Sequence, residues 1–229
     1  MTVLRILSGG AAQGLVGREA PGFETTAGVS AGGEFGAVGL MAGKFRAGDP
    51  ADILILTDAL IQQLGAEGRL VAGSARNIGP VPTAIAVRAG TRRPPIASAD
   101  DVKAAWLAAD ALYVPDVETS TAGQHVAKVL RTLGIWDQMA PRLRVFPNGA
   151  TAMAALAASA DAHPVGCTQA TEILNTPGLD LVGPLPEGIE LAAMYTAAVS
   201  ASSPLQGPAA ALIDRLAASA ARASLGFSV

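Results

Sequence analysis

The stretch VLRILSGGAA, residues 3–12, decides the fold because it joins an apolar strand to a glycine turn and an alanine-rich helix. Its apolar run Val3–Leu7 predicts a buried strand, and Ala11–Glu19 has the spacing of a helix. Short apolar runs alternate with longer stretches of helical period along the rest of the chain, which is typical of βαβ units around a largely parallel sheet. We therefore predict an α/β fold.

The remaining elements are predicted in the same way, strands from short apolar runs and helices from stretches of helical period. Further strands are predicted at Ala51–Leu56, Thr83–Arg88, Ala111–Val114, Arg144–Phe146, Val165–Cys167, Leu179–Val182 and Ala192–Val199. Further helices are predicted at Val38–Ala47, Asp58–Leu64, Ser98–Ala108, Ala122–Leu133, Thr151–Ser159, Ala170–Leu174 and Gly207–Ala221. Asp58 is expected to cap a helix, and Ser98 to form a capping box with Asp101. Gly65 and Gly134 are expected to end helices in the left-handed conformation.

Two lobes are predicted from the way the pattern is interrupted. The proline-rich segment Gly79–Pro82 breaks it before a new strand and predicts a first crossing between lobes. The return crossing is expected near Glu190–Tyr195. Lobe one would then comprise residues 1–81 and 193–229, and lobe two residues 82–192.

Composition excludes several classes of protein. Of 229 residues, 50% are hydrophobic and 15% charged, which fits a packed globule and not a disordered tail. The net charge of −3 is spread along the chain without a basic stripe, so no nucleic-acid partner is expected. One cysteine excludes an internal disulfide, and the two histidines lie too far apart to predict a metal pair. No run reaches the ~18 to 20 apolar residues that would span a bilayer.

Loops that lead from a strand into a helix carry the predicted chemistry. Backbone N–H groups at a helix start have no partner within the helix and carry partial positive charge, so they can bind an anion without lysine or arginine. Four such loops are predicted to bind ligand, through Ser8, Gly9, Gly10 and Ala11; Ala37 and Val38; Ser120, Thr121, Ala122 and Gly123; and Asn148 and Gly149.

Nucleotide cofactors are not expected. Gly9-Gly10 lacks the third glycine spacing and the downstream acidic strand end of a dinucleotide fingerprint. Neither a phosphate-loop lysine nor a Gly-x-Ser-x-Gly motif occurs in the chain. The sequence thus predicts a binding site without a cofactor or a metal.

Several short motifs resemble those of one known family. Residues 47–53, AGDPADI, resemble the Gly-x-Pro-Ala-Asp strand entry of the molybdate-binding proteins of ABC transporters. Further matches are Ala122-Gly123 before a helix that closes with Leu133-Gly134, the segment Gly166–Gln169, and Leu225–Phe227. The chain is therefore similar to this family over nearly its full length. The resemblance implies the type 2 periplasmic-binding-protein fold, with two α/β lobes and a ligand cleft between them.

The oxyanion-binding positions of that family match less well. Its molybdate binders present two serines and a late tyrosine, where this chain is expected to hold Gly10, a residue near Val38, and Gln169. The chain looks closer to the aconitate isomerase-like branch of the fold in its Ser-Gly-Gly start and in Gln169. Glutamine both donates and accepts hydrogen bonds, which suits a carboxylic acid or carboxylate.

This branch implies an isomerase that moves a double bond in a small di- or tricarboxylate by a 1,3-proton shift. His125 is the candidate acid–base residue, since its ordinary pKa suits proton transfer near neutral pH. Asp116, Glu118 and Asp58 are alternatives, but a carboxylate in an anion site would repel the ligand.

A transport role is the alternative function. The same cleft would serve a binding protein that delivers a molybdate-like oxyanion or a carboxylate to an ABC permease. A native start at Met1 would favour a cytoplasmic enzyme, because no leader precedes the first strand. Removal of a leader would instead favour a periplasmic protein with the permease as its partner.

Overall fold

The computed structural model describes residues 2–228. Its strands are β1 (Val3–Gly9), β2 (Ser30–Gly36), β3 (Ile53–Thr57), β4 (Arg76–Arg88), β5 (Ala111–Pro115), β6 (Leu143–Phe146), β7 (Pro164–Gln169), β8 (Leu179–Pro184) and β9 (Ala192–Val199). Its α-helices are α1 (Gln13–Ala27), α2 (Val38–Ala47), α3 (Asp58–Ala66), α4 (Ala99–Ala108), α5 (Thr121–Thr132), α6 (Trp136–Met139), α7 (Gly149–Ala157), α8 (Ala170–Leu174) and α9 (Gln206–Ala218). Short 3₁₀ turns lie at Gly10–Ala12, Ala140–Arg142 and Ala220–Leu225. None of the helices within residues 2–228 is long and apolar enough to cross a membrane.

The chain divides into two compact units. Unit 1 comprises the residues up to Pro80 and those from Ala193 onward, and unit 2 comprises Val81–Ala192. The chain leaves unit 1 within β4 and re-enters it at the start of β9.

The sheet of unit 1 aligns the starts of three helices. Strand β1 pairs in parallel with β2 on one side and β3 on the other, and β9 runs antiparallel to β3. The residues Ile53–Leu56 of β3 are fully buried, as expected for a continuous apolar run in a sheet interior. Because the carboxyl ends of parallel strands meet at one edge, the helices α1, α2 and α3 begin at the same edge.

The sheet of unit 2 is covered on both faces. Strand β5 pairs in parallel with β6 and β7, while β4 runs antiparallel to β7 and β8. Successive residues of a strand point to opposite faces. Ile85 and Val87 of β4 pack into the cluster around Trp106, whereas Ala84 and Ala86 pack with Met153 of α7. The parallel strands place the starts of α5, α7 and α8 at one edge of this sheet.

The largest differences from the sequence-based expectation concern three elements. Strand β2 was not predicted, because SAGGEFG offers neither an apolar run nor clear alternation. Strand β4 begins at Arg76 and runs through Pro80 and Pro82, where an interruption was expected. Helix α1 continues to Ala27 with Pro21 inside it. A proline there removes one backbone bond and leaves the carbonyl of the exposed Gly17 to solvent.

Two of the four predicted helix ends are confirmed. Ser98 and Asp101 form the expected capping box, and Gly134 has the expected positive φ of 67°. The expectation for Asp58 is wrong, because Thr57 precedes α3 and no side chain caps it. Gly65 lies inside α3, and Gly68 takes the positive φ of 70° instead.

Candidate functional site

In unit 1 the end of β1 leads directly into a buried turn. Ser8 and Gly9 belong to the strand, and Gly10 and Ala11 begin the 3₁₀ turn that precedes α1. All four are buried, and the Ser8 hydroxyl donates a 2.8 Å hydrogen bond to the carbonyl oxygen of Gly9. Gly9 has no side chain with which to cap the turn. The first backbone amides of the turn therefore need a hydrogen-bond acceptor other than a capping side chain.

Helix α2 begins in the same way. Ala37 precedes it and Val38 is its first residue, and both are buried. Alanine offers no side-chain oxygen to the first amides of the helix. At both of these helix starts in unit 1 the residues are small or apolar, so their only hydrogen-bond donors are backbone amides.

Gly9 brings these two helix starts together. A Cβ atom added to Gly9 would lie 2.7 Å from Cγ1 of Val38 and 2.7 Å from Cε1 of Tyr195. Tyr195 lies on β9 opposite Thr57 and is 2% exposed. The sequence analysis did not include Tyr195 among the site residues and expected no late tyrosine. The structure places its phenol ring against the predicted loop.

Asp58 forms a polar cluster nearby in unit 1. Its Oδ1 lies 3.0 Å from the Thr196 hydroxyl oxygen, and its Oδ2 accepts a 2.5 Å hydrogen bond from the side-chain amide of Gln62. The Thr196 hydroxyl also lies 3.0 Å from Oδ1 of Asn77. Asp58 therefore ties α3 to β9 and β4.

In unit 2 the start of α5 is built around Gly123. A Cβ atom here would lie 2.1 Å from the carbonyl oxygen of Asp116, so the glycine allows the helix to approach the end of β5. Ser120 caps α5 through a long 3.5 Å hydrogen bond from the Gly123 amide. Thr121 and Ala122 form the first turn, and Ala122 is buried.

Asp116 has a structural part in this loop. Its Oδ1 accepts hydrogen bonds from the Thr119 hydroxyl and from the backbone amides of Glu118 and Thr119, at 2.7 to 2.9 Å. These bonds hold the pKa of the Asp116 carboxyl below its ordinary value. The carboxylate is occupied in shaping the turn before α5.

His125 connects α5 to the segment before β9. Its Nε2 lies 2.8 Å from the carbonyl oxygen of Ile189. Because a carbonyl only accepts, this geometry places a proton on Nε2 and leaves Nδ1 as the nitrogen that could exchange one.

The start of α7 encloses a carboxyl group that the sequence analysis missed. Asn148 caps the helix, its Oδ1 accepting hydrogen bonds from the amide (2.9 Å) and the hydroxyl (2.8 Å) of Thr151. A Cβ atom on Gly149 would lie 1.8 Å from Oε2 of Glu172 and 2.3 Å from Oγ1 of Thr168. Glycine is required here because the carboxyl group occupies the space of a side chain.

Glu172 lies on α8 and is buried. The Thr168 hydroxyl donates a 2.5 Å hydrogen bond to Oε2, and the backbone amide of Gln169 also donates to the carboxyl group. Burial raises the pKa of Glu172 to about 7, while these two bonds limit the rise. The predicted residues Gly149 and Gln169 thus both contact the Glu172 carboxyl group.

Two pairs of the predicted residues therefore meet, one pair in each unit. In unit 1, Gly9 and Val38 meet beside Tyr195; in unit 2, Gly149 and Gln169 meet around Glu172. No group of three or more histidine, cysteine, aspartate or glutamate side chains is placed to hold a metal ion among residues 2–228.

This arrangement can be compared with known proteins. The model of the family described as bacterial extracellular solute-binding protein matches residues 4–226. The chain belongs to this family.

Two solved structures of solute-binding proteins are similar to it over nearly its whole length. The periplasmic molybdate-binding protein of Azotobacter vinelandii has a TM-score of 0.80 at 16% identity, covering 99% of each chain. The sulfate-binding protein SubI of Mycobacterium tuberculosis has a TM-score of 0.74 at 16% identity, covering 99% of this chain and 86% of its own. The predicted type 2 periplasmic-binding-protein fold is confirmed.

A relative in sequence is an enzyme. The aconitate isomerase of Pseudomonas sp. is 26% identical over 225 residues, which make up 95% of this chain and 83% of that protein. The predicted resemblance to this branch is confirmed.

Proposed function

We propose that this chain binds a small di- or tricarboxylate and isomerises it by a 1,3-proton shift. The observation that carries the proposal is the similarity to aconitate isomerase across 95% of the chain. The solute-binding family supports the binding half of the proposal, since its members share a fold made to hold a small ligand.

Backbone amides would hold the substrate carboxylates. The helix starts at Gly10–Ala11 and Ala37–Val38 in unit 1, and at Thr121–Gly123 and Gly149 in unit 2, present amides at the carboxyl ends of parallel strands. Gln169 would add a side-chain amide that can donate to a carboxylate. A small residue such as Ala37 lets a ligand approach the backbone closely.

The same groups would assist the reaction. Removing a proton from the CH₂ group next to the double bond creates negative charge that spreads over three carbons and the conjugated carboxylate. Oriented amides stabilise such charge without having to reorganise. An acid–base residue must also reach the two carbons, and His125 could do so only through Nδ1, since Nε2 donates to Ile189.

A second candidate function is transport. It is favoured by the family description and by the similarity to molybdate- and sulfate-binding proteins. In that case the chain would be a periplasmic receptor whose partner is an ABC permease. Its ligand would be an oxyanion or a carboxylate, released without chemical change.

A ligand screen separates the two functions. Purified protein is heated with molybdate, tungstate, sulfate, phosphate and small carboxylates including both aconitate isomers. A ligand at about 100 times its Kd should stabilise the fold by about 2.7 kcal/mol, a visible rise in Tm. We expect an unsaturated tricarboxylate to stabilise the protein and, in ¹H NMR in D₂O, to change into its isomer. Stabilisation by molybdate or tungstate alone would contradict the proposal.

A further inference from the structure

Glu172 is a buried carboxyl group that forms no ion pair with any of residues 2–228. Its Oε2 is held by the Thr168 hydroxyl at 2.5 Å, and the Gln169 backbone amide is its second donor. On a third side lies Gly149, whose missing side chain leaves the carboxyl group against bare backbone. Both donors are neutral, and they stabilise the carboxylate without fixing it as an ion pair.

The elements packed against α8 add little charge to these surroundings. Helix α7 has no titratable side chain, β7 has Cys167 alone, and β8 has Asp180 alone. Strands β4 and β5 share an apolar cluster with α8 and carry Arg88 and Tyr113, which hydrogen-bond to Ser159 and Asp161. Burial raises the pKa of the Cys167 thiol, so it stays neutral. Asp180 lies 3.5 Å from the guanidinium group of Arg93 and also accepts from the Gly90 amide.

Both protonation states of Glu172 are therefore accessible near neutral pH. With a pKa of about 7, the carboxyl group can take up and release a proton at little cost in free energy. The repulsion expected between a carboxylate and an anionic substrate is also removed when Glu172 is protonated. Asp116 differs, because its hydrogen bonds lower its pKa and keep it charged.

Glu172 also lies among the residues proposed to bind substrate. It follows Gln169 by three positions, close to one helical turn, and contacts the first residue of α7. His125 lies on α5 and directs its Nε2 proton to the Ile189 carbonyl.

Resting on the proposed function, we propose that Glu172 is the catalytic acid–base residue of the 1,3-proton shift. The Glu172 carboxylate takes a proton from the CH₂ carbon. The electrons of that C–H bond form a new double bond to the central carbon, and the electrons of the old double bond move onto the far carbon and its conjugated carboxylate. The carboxylic acid of Glu172 then returns the proton to the far carbon of the three-carbon unit, which restores the carboxylate and leaves the double bond shifted.

The test uses trans-aconitate and four variants. Glu172→Gln keeps the size and the oxygen that accepts from Thr168, but it cannot exchange a proton. We expect it to retain the rise in Tm with trans-aconitate and to lose about 10²- to 10⁴-fold in isomerisation rate. The matched control Glu187→Gln, at an exposed glutamate of unit 2, should isomerise at the wild-type rate.

The pH profile supplies a readout that a structural role would not change. For the wild type, kcat/KM should rise with pH through about 7, as Glu172 loses its proton. Thr168→Val removes a bond that stabilises the carboxylate, so the rise should move to higher pH. Thr168→Ser keeps the hydroxyl and should leave the profile in place. If Glu172→Gln does not fold, the pH profiles of Thr168→Val and Thr168→Ser test the role of Glu172 instead.

Three outcomes would overturn the proposal. Isomerisation by Glu172→Gln at the wild-type rate would show that another residue moves the proton. An unchanged pH profile in Thr168→Val would also contradict the role of Glu172. The wild-type protein could also bind trans-aconitate but neither isomerise it nor exchange its protons with D₂O. That result would contradict both the proposed isomerase function and the role of Glu172.

Discussion

At Gly9 the backbone is extended, with φ −60° and ψ 144°, a conformation open to any residue. The glycine is nevertheless required, because Val38 and Tyr195 fill the space where a side chain would begin. From sequence alone, Gly9-Gly10 could indicate either a tight turn or a close approach of ligand. The structure adds a third reason, the packing of two helix starts and β9 around one backbone position.

Gly9→Ala should therefore destabilise unit 1. The new Cβ atom would lie 2.7 Å from two side chains, and such overpacking costs about 1 to 3 kcal/mol in unfolding free energy. Gly17→Ala is the matched control, since nothing lies within 4 Å of its Cβ position at an exposed site of helix α1. That control should be neutral or stabilising by up to about 1 kcal/mol. Urea denaturation measures both, and equal stability of the two variants would refute the packing argument.

At the scale of elements, strong apolar periodicity was enough to predict bounds. Helices α2 and α8 and strand β9 lie where the sequence places them. Strand β2 escaped prediction because its pairing comes from the neighbouring β1 and not from its own residues. Gly33 shows this, since a Cβ atom there would lie 1.9 Å from the carbonyl oxygen of Ile6. A pattern within one segment cannot report such a contact with another.

Helix α7 offers a test of capping. Asn148→Ala removes the acceptor of the Thr151 amide and hydroxyl and should reduce the unfolding free energy by about 1 kcal/mol. Asn148→Asp keeps an oxygen in place, so its stability should remain near that of the wild type. The midpoint of urea denaturation measures the difference. A midpoint unchanged in Asn148→Ala would mean that the cap does not stabilise the fold.

At the scale of the whole molecule, the sequence predicted the helix starts better than it predicted the side chains packed around them. Helix starts can be read from local spacing, so Gly9, Val38 and Gly149 were correctly placed at or next to them. Tyr195 and Glu172 reach those loops from later strands and helices, which only the folded chain brings near. Repulsion between a carboxylate and an anion counted against Asp116, Glu118 and Asp58. Burial removes this objection for Glu172, because it lets the carboxyl group become neutral.

Four carboxyl groups make the stability of the molecule depend on pH in opposite directions. The Ser219 hydroxyl and Arg215 lower the pKa of Glu19, and hydrogen bonds likewise lower those of Glu67 and Asp116. Their stabilisation is complete above the ordinary pKa and is lost as pH falls. Burial raises the pKa of Glu172, so its contribution is complete below about 4.5 and is lost as pH rises through about 7.

The wild-type unfolding free energy should therefore fall between pH 5 and 8, by an amount on the order of 3 kcal/mol for a shift from 4.5 to about 7. Glu172→Gln has no charge to bury and should lack this decrease. Urea denaturation followed by circular dichroism at several pH values gives both curves. The other ionisable groups are common to the two proteins, so the difference between the curves isolates Glu172. Parallel curves would mean that the carboxyl group ionises in the folded protein as readily as in the unfolded chain, against the burial that the structure shows.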